Sequence, residues 1–110
     1  MQHSVTEKSG AIVVAFAGEI DLEHSPQARE ILLECVGRGQ KVVVDLASVK
    51  YIDSSGIASL IEALQRARAE GASFALAAAN GAVRQVLELA RLDQVFTLLE
   101  RVEEGLHDDF

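Results

Sequence analysis

The stretch from Val42 to Leu64 limits the fold more than any other part of the chain, because it joins two elements of different period through a polar tetrapeptide. Its apolar run Val42-Val43-Val44-Asp45-Leu46 is short and rich in β-branched residues, as suits a strand buried in a sheet. After the linking residues Ala47 to Ile52 comes Asp53-Ser54-Ser55-Gly56, and then Ile57, Leu60, Ile61 and Leu64 recur at spacings of three, four and seven, one face of a helix. The two serines therefore fall at a helix N-terminus, where first-turn N–H groups lack intrahelical acceptors and the dipole favours anions. A hydroxyl there caps the helix, and a phosphate there is held by backbone amides. Asp53 and Ser54 are also good N-caps in their own right, so the tetrapeptide alone fits a purely structural role as well. Gly56 keeps the junction free of a side chain, which lets another molecule approach the hydroxyls closely.

The rest of the chain repeats the same alternation. Val5 lies in a polar stretch suited to an edge strand, and Lys8-Ser9-Gly10 reads as a turn into the strand Ala11 to Ala17. Gly18-Glu19-Ile20-Asp21 closes that strand, and Ser25-Pro26 matches an N-cap and first helical residue. The helix that follows places Ala28, Ile31, Leu32 and Cys35 on one face and ends at Gly37 or Gly39. After the Val42 strand and a helix from about Ser55 to Glu70, stopped by Gly71, the run Ser73 to Ala78 is the next strand. Asn80 caps a third helix with Val83, Val86, Leu87 and Ala90 inward. Val95 to Leu99 reads as a last strand, and Val102 to Leu106 as a short terminal helix before an acidic end.

Such alternation predicts an α/β fold, a mixed but mostly parallel β-sheet with amphipathic helices in right-handed crossover connections. Functional loops of such sheets gather at the carboxyl ends of the strands. If the strands ending near Gly18 and Leu46 are parallel neighbours, Asp21 and Asp53 share a rim with Ser54 and Ser55.

With 110 residues the chain is expected to be one domain, 1–110, with a core of about 5–99 and an acidic C-terminal tail 100–110. The net charge of −7, without any run of Lys or Arg, argues against direct nucleic-acid binding or an anionic membrane surface and favours a basic or neutral protein partner. The start Met1-Gln2-His3-Ser4 lacks the apolar region of a signal peptide, and no apolar run approaches the ~20 residues of a membrane span, so the expected location is cytoplasmic, without membrane insertion. Cys35, the single cysteine, excludes an internal disulfide and reads as a small buried hydrophobe. Four Phe, one Tyr and no Trp offer no stacking platform for bases.

Enzyme constellations are poorly served. His3, His24 and His107 are far apart and read as surface residues, giving neither a triad nor a zinc spacing. Asp-Ser-Ser-Gly is not a nucleophile elbow, and no phosphate-binding Gly-rich loop ending in Lys-Ser or Lys-Thr is present. Asp21, Asp45 and Asp53 suggest a magnesium site only weakly, because Asp45 lies inside an apolar strand and no lysine ends a strand in the second half.

The strand ending Val44-Asp45-Leu46, the segment Val49-Lys50-Tyr51-Ile52 and the Asp53-Ser54-Ser55-Gly56 motif before an Ile/Leu helix resemble the STAS domain family, in particular the bacterial anti-sigma factor antagonists. Gly18-Glu19-Ile20-Asp21 matches that family's element after its second strand, and Val83 to Phe96 resembles its C-terminal third. The resemblance runs from roughly Val5 to Leu99.

It implies a binding module without catalysis or cofactor of its own. In the antagonists the second serine of the motif, here Ser55, is phosphorylated by an anti-sigma factor that is a serine kinase. The unphosphorylated form sequesters that kinase and so releases a sigma factor, and a PP2C-type phosphatase restores it. On this reading Ser55 is the phosphoacceptor, while Asp21, Asp53, Ser54, Gly56 and Ser59 belong to the partner-binding surface. The alternative is a constitutive interaction subunit of a transporter ATPase or a stress-signalling scaffold, with Ser55 structural; Ser59, one turn into the helix, equally fits an ordinary solvent-facing residue.

Overall fold

A computed structural model of the chain describes residues 1–107 and 110; Asp108 and Asp109 of the acidic tail lie outside the described residues. The chain opens with a hairpin of β1 (Gln2–Lys8) and β2 (Ala11–Ile20), antiparallel in a continuous register from Gln2↔Ala17 to Lys8↔Ala11. Its two-residue turn, Ser9-Gly10, has positive φ at both residues (52° and 79°), the conformation whose twist suits a tight hairpin.

Then α1 (Ser25–Val36), β3 (Lys41–Ile52), α2 (Ser54–Ala69), β4 (Phe74–Ala77), α3 (Gly81–Leu89), a 3₁₀ turn over Leu92–Gln94, β5 (Thr97–Leu99) and α4 (Val102–His107) follow in turn. The sheet order is β1-β2-β3-β4-β5, with every pair after the first parallel. Chain order and spatial order coincide, so successive crossovers lay α1, α2 and α3 on the same face.

Under those helices Ile12, Val14 and Phe16 of β2, Val42, Val44 and Leu46 of β3 and Leu76 of β4 form the core with Ala28, Leu32, Leu60, Ala63 and Leu87. Alternate residues face the other side of the sheet, where α4 closes over Val43: a Cβ on Gly105 would stand 2.7 Å from Val43 Cγ2 and 2.9 Å from Leu99 Cδ1. Residues 102–107 are thus packed structure beyond the predicted core of 5–99.

Several details differ from the sequence reading. The segment 47–52 is not a link: β3 continues to Ile52, with Val49 and Ile52 buried. Register shifts between Ala15 and Ala17 and between Gly18 and Glu19 let β2 follow it, and such irregularity breaks the period-two pattern by which strands are recognised. Helix α1 begins one residue early, with His24 as N-cap and Pro26 in its first turn. Asn80 occupies the N-cap of α3, but its side-chain amide donates to the Ala47 carbonyl at 3.0 Å instead of capping, and Ala90 is exposed. Val95 and Phe96 precede β5, and Phe96 turns inward against Phe74.

Candidate functional site

The site forms where β2 and β3 end together. Ile20 pairs with Ile52, so Asp21 and Asp53 leave the sheet side by side, and the Asp53 N–H donates to the Ile20 carbonyl at 3.4 Å. Asp53 then caps α2, its Oδ1 accepting from the backbone N–H of Ser55 (2.9 Å) and of Gly56 (3.1 Å). The same oxygen accepts the Ser55 hydroxyl at 2.6 Å. The Ser55 hydroxyl, followed by the Gly56 amide, holds the Asp53 carboxyl below its ordinary range against the opposing effect of desolvation. An ionised carboxylate thus fixes a half-buried serine hydroxyl at the start of a helix whose first-turn amides it already caps and whose dipole favours negative charge.

Asp21 is tied down differently. Its Oδ1 accepts from the His24 backbone N–H (3.1 Å) and lies 2.7 Å from His24 Nδ1, while its carbonyl accepts from the His24 and Ser25 amides. Desolvation, the largest influence, pushes the Asp21 carboxyl up, but the His24 side-chain and backbone hydrogen bonds together outweigh it and leave the carboxyl below its ordinary value. His24 is therefore part of the turn, whereas His3 and His107 are exposed.

Ser54 is the first residue of α2, exposed, and not the cap. Gly56 is buried, and the close approach it permits comes from its own chain: a Cβ there would run into the Ile20 carbonyl and stand 2.6 Å from Ile52 Cγ1. The absence of a side chain lets the α2 N-terminus sit directly on the ends of β2 and β3, and it does not open a path for a visiting group. Ser59 is 6% exposed, neither solvent-facing nor part of an outer contact surface; its hydroxyl lies 3.2 Å from the carbonyls of Ser25 and Ser55 and joins α2 to the start of α1. Asp45 stays apart from this rim, its carboxylate accepting the Ala47 amide at 3.0 Å. Leu22 is 76% exposed beside Asp21; its only sequence signal is an isolated leucine between Asp21 and Glu23 with no periodic apolar partner.

An α/β domain that displays a serine beside the capping aspartate of a helix at the carboxyl rim of a mostly parallel sheet is a recognisable class, and a match to the STAS domain family spans residues 2–105. The chain belongs to the STAS domain family. Among characterised relatives it is 24% identical over 102 residues to the anti-sigma-B factor antagonist of Bacillus subtilis, covering 93% of this chain and 94% of the relative. Among solved structures, an anti-sigma factor antagonist from Mycobacterium paratuberculosis superposes with a TM-score of 0.88 at 26% identity, covering 96% of this chain and 90% of that one. The Bacillus cell-fate determinant SpoIIAA in its phosphorylated form superposes with a TM-score of 0.73 at 17% identity, covering 96% of each chain. No helix among the described residues is long and apolar enough to cross a membrane.

Proposed function

We propose that this protein is an anti-sigma factor antagonist switched by phosphorylation of Ser55, a binding module that catalyses nothing itself. The observation that carries this reading is the Ser55 hydroxyl held at 2.6 Å by the Asp53 carboxylate on the strand-end rim. The carboxylate takes the hydroxyl hydrogen, which leaves the oxygen's lone pairs for an electrophilic phosphorus. The unphosphorylated rim binds an anti-sigma serine kinase, which then releases its sigma factor. Transfer of the γ-phosphoryl group of ATP to Ser55 Oγ ends that complex, and a PP2C-type phosphatase resets it.

Added phosphate brings about −1.5 to −2 charges at pH 7. They would lie beside two carboxyls already biased toward the ionised state, Asp53 and Asp21. The helix N-terminus tolerates that charge, so the domain stays folded while a docked partner does not stay bound. Like-charge contact across an interface costs several kcal/mol, and each ~1.4 kcal/mol is a factor of ten in affinity, so a single phosphoryl group suffices as a switch.

The test is affinity capture from host lysate with wild type and Ser55→Asp side by side. The expected result is a small ATP-binding serine kinase held by wild type and missing from the variant. Equal retention of one partner by both baits makes Ser55 structural and the proposal wrong.

A further inference from the structure

Four large apolar side chains stand exposed among the described residues: Leu22, Tyr51, Leu89 and Val95. Topology sorts them into two pairs. Leu89 ends α3 and Val95 precedes β5, which places both at the amino ends of the parallel strands. Leu22 follows the carboxyl end of β2, and Tyr51 pairs with Glu19 one residue before β3 ends, so both belong to the rim that carries Ser55.

Leu22 is the more exposed of this pair, at 76%, two residues after the fully buried Ile20. Its exposure is enforced by the turn that holds it. The Asp21 carboxylate accepts the His24 amide and lies against the His24 ring, and the Asp21 carbonyl accepts from His24 and Ser25, so the backbone on either side of Leu22 is fixed. A backbone already held in a rigid turn loses little further freedom when its side chain is covered. The same strand-end rim carries four acidic residues, Glu19, Asp21, Glu23 and Asp53, and one exposed lysine, Lys50, between Val49 and Tyr51. When a partner covers such a rim, an apolar group among charged ones supplies the desolvated centre and the charged groups the polar border of the interface.

We infer that Leu22 is the apolar anchor by which this rim engages its protein partner, entering a socket bordered by basic side chains on the kinase that acts on Ser55. The inference rests on the phosphorylation-switched reading and adds to it the residue that supplies affinity. Ser55 determines whether the complex forms, while Leu22 determines how tightly. The partner's chemistry follows from the rim's charge: a neutral or acidic border on the socket would face four acidic residues against one lysine.

The experiment titrates the host's purified anti-sigma serine kinase with wild type, Leu22→Ser, Leu89→Ser and Ser55→Asp by calorimetry. Circular dichroism checks that each variant is folded, which the exposure of Leu22 and Leu89 favours. Leu22→Ser is expected to weaken binding roughly tenfold or more, as loss of an interface anchor does, with Leu89→Ser within about twofold of wild type. If Ser55→Asp abolishes binding while Leu22→Ser stays within about twofold, the anchor is refuted and the switch stands. If wild type does not bind the kinase, or Ser55→Asp binds as wild type does, the switch and the anchor fall together.

Discussion

Gly56→Ala asks how tightly the candidate site is built into the fold. By helix propensity alone the change is favourable, because Ala is better than Gly inside a helix by about 0.8–1 kcal/mol. Packing opposes it. The new methyl would run into the Ile20 carbonyl and stand 2.6 Å from Ile52 Cγ1 and 3.0 Å from Ile20 Cγ2. One of these neighbours is backbone of a paired strand, and the others belong to stiff β-branched side chains that are themselves buried. Relief requires moving the α2 N-terminus off the ends of β2 and β3, and overpacking of this kind costs ~1–3 kcal/mol. Because one obstacle is strand backbone, the cost falls in the upper half of that range, and the net expectation is a loss of about 1–2 kcal/mol, which for a domain of this size lowers Tm by roughly 5–10 °C. Thermal unfolding followed by circular dichroism reads it directly. A Tm equal to or above that of wild type would refute the reasoning, since it would mean that the rim spreads freely and propensity decides.

Two further expectations follow from the ionisable groups. Burial, then the neighbouring Glu34 carboxylate, pushes the Cys35 thiol up to about 11, so alkylation of the native protein at pH 8 should be slow and should become rapid in denaturant; fast labelling of the native state would contradict its buried place. Asp21 and Asp53 have folded pKa values depressed below their unfolded ones, so their stabilising effect is present above about 3.9 and is lost as pH falls through the lower folded values. Urea midpoints should therefore fall between pH 5 and pH 2.5, and the fall should be smaller in Asp53→Asn; an identical acid profile in that variant would show that the carboxylate contributes nothing.

Much of this architecture is legible in the sequence because regular elements announce their period. The runs at Ala11, Val42 and Phe74 and the helical stripes of α1, α2 and α3 expose their buried faces by spacing alone, and the Ser9-Gly10 turn is explicit. Where the pattern is interrupted the reading fails. Val49 and Ile52 are three residues apart and sit in an irregular strand whose register only β2 defines, so the extension of β3 to the rim is a tertiary fact. Within the site, the Asp53-Ser55 pair is local and follows from the capping rule, whereas Ser59, Gly56 and Leu22 depend on which neighbour lies beside them. The burial of Ser59 requires the α1 carbonyl of Ser25, and the need for glycine at 56 requires the end of β2. The exposure of Leu22 likewise requires the His24 hydrogen bonds that fix its turn.

The central claim is that the covalent state of Ser55 sets affinity for an anti-sigma serine kinase. The most direct measurement is calorimetric titration of that kinase with the protein prepared wholly unphosphorylated and wholly phosphorylated, with mass spectrometry locating the phosphate. The account predicts a single phosphate on Ser55 and at least a hundredfold weaker binding of the phosphorylated form, the factor that about 2.7 kcal/mol of like-charge repulsion produces. Equal affinity of the two forms, or a phosphate placed on another residue, would contradict it.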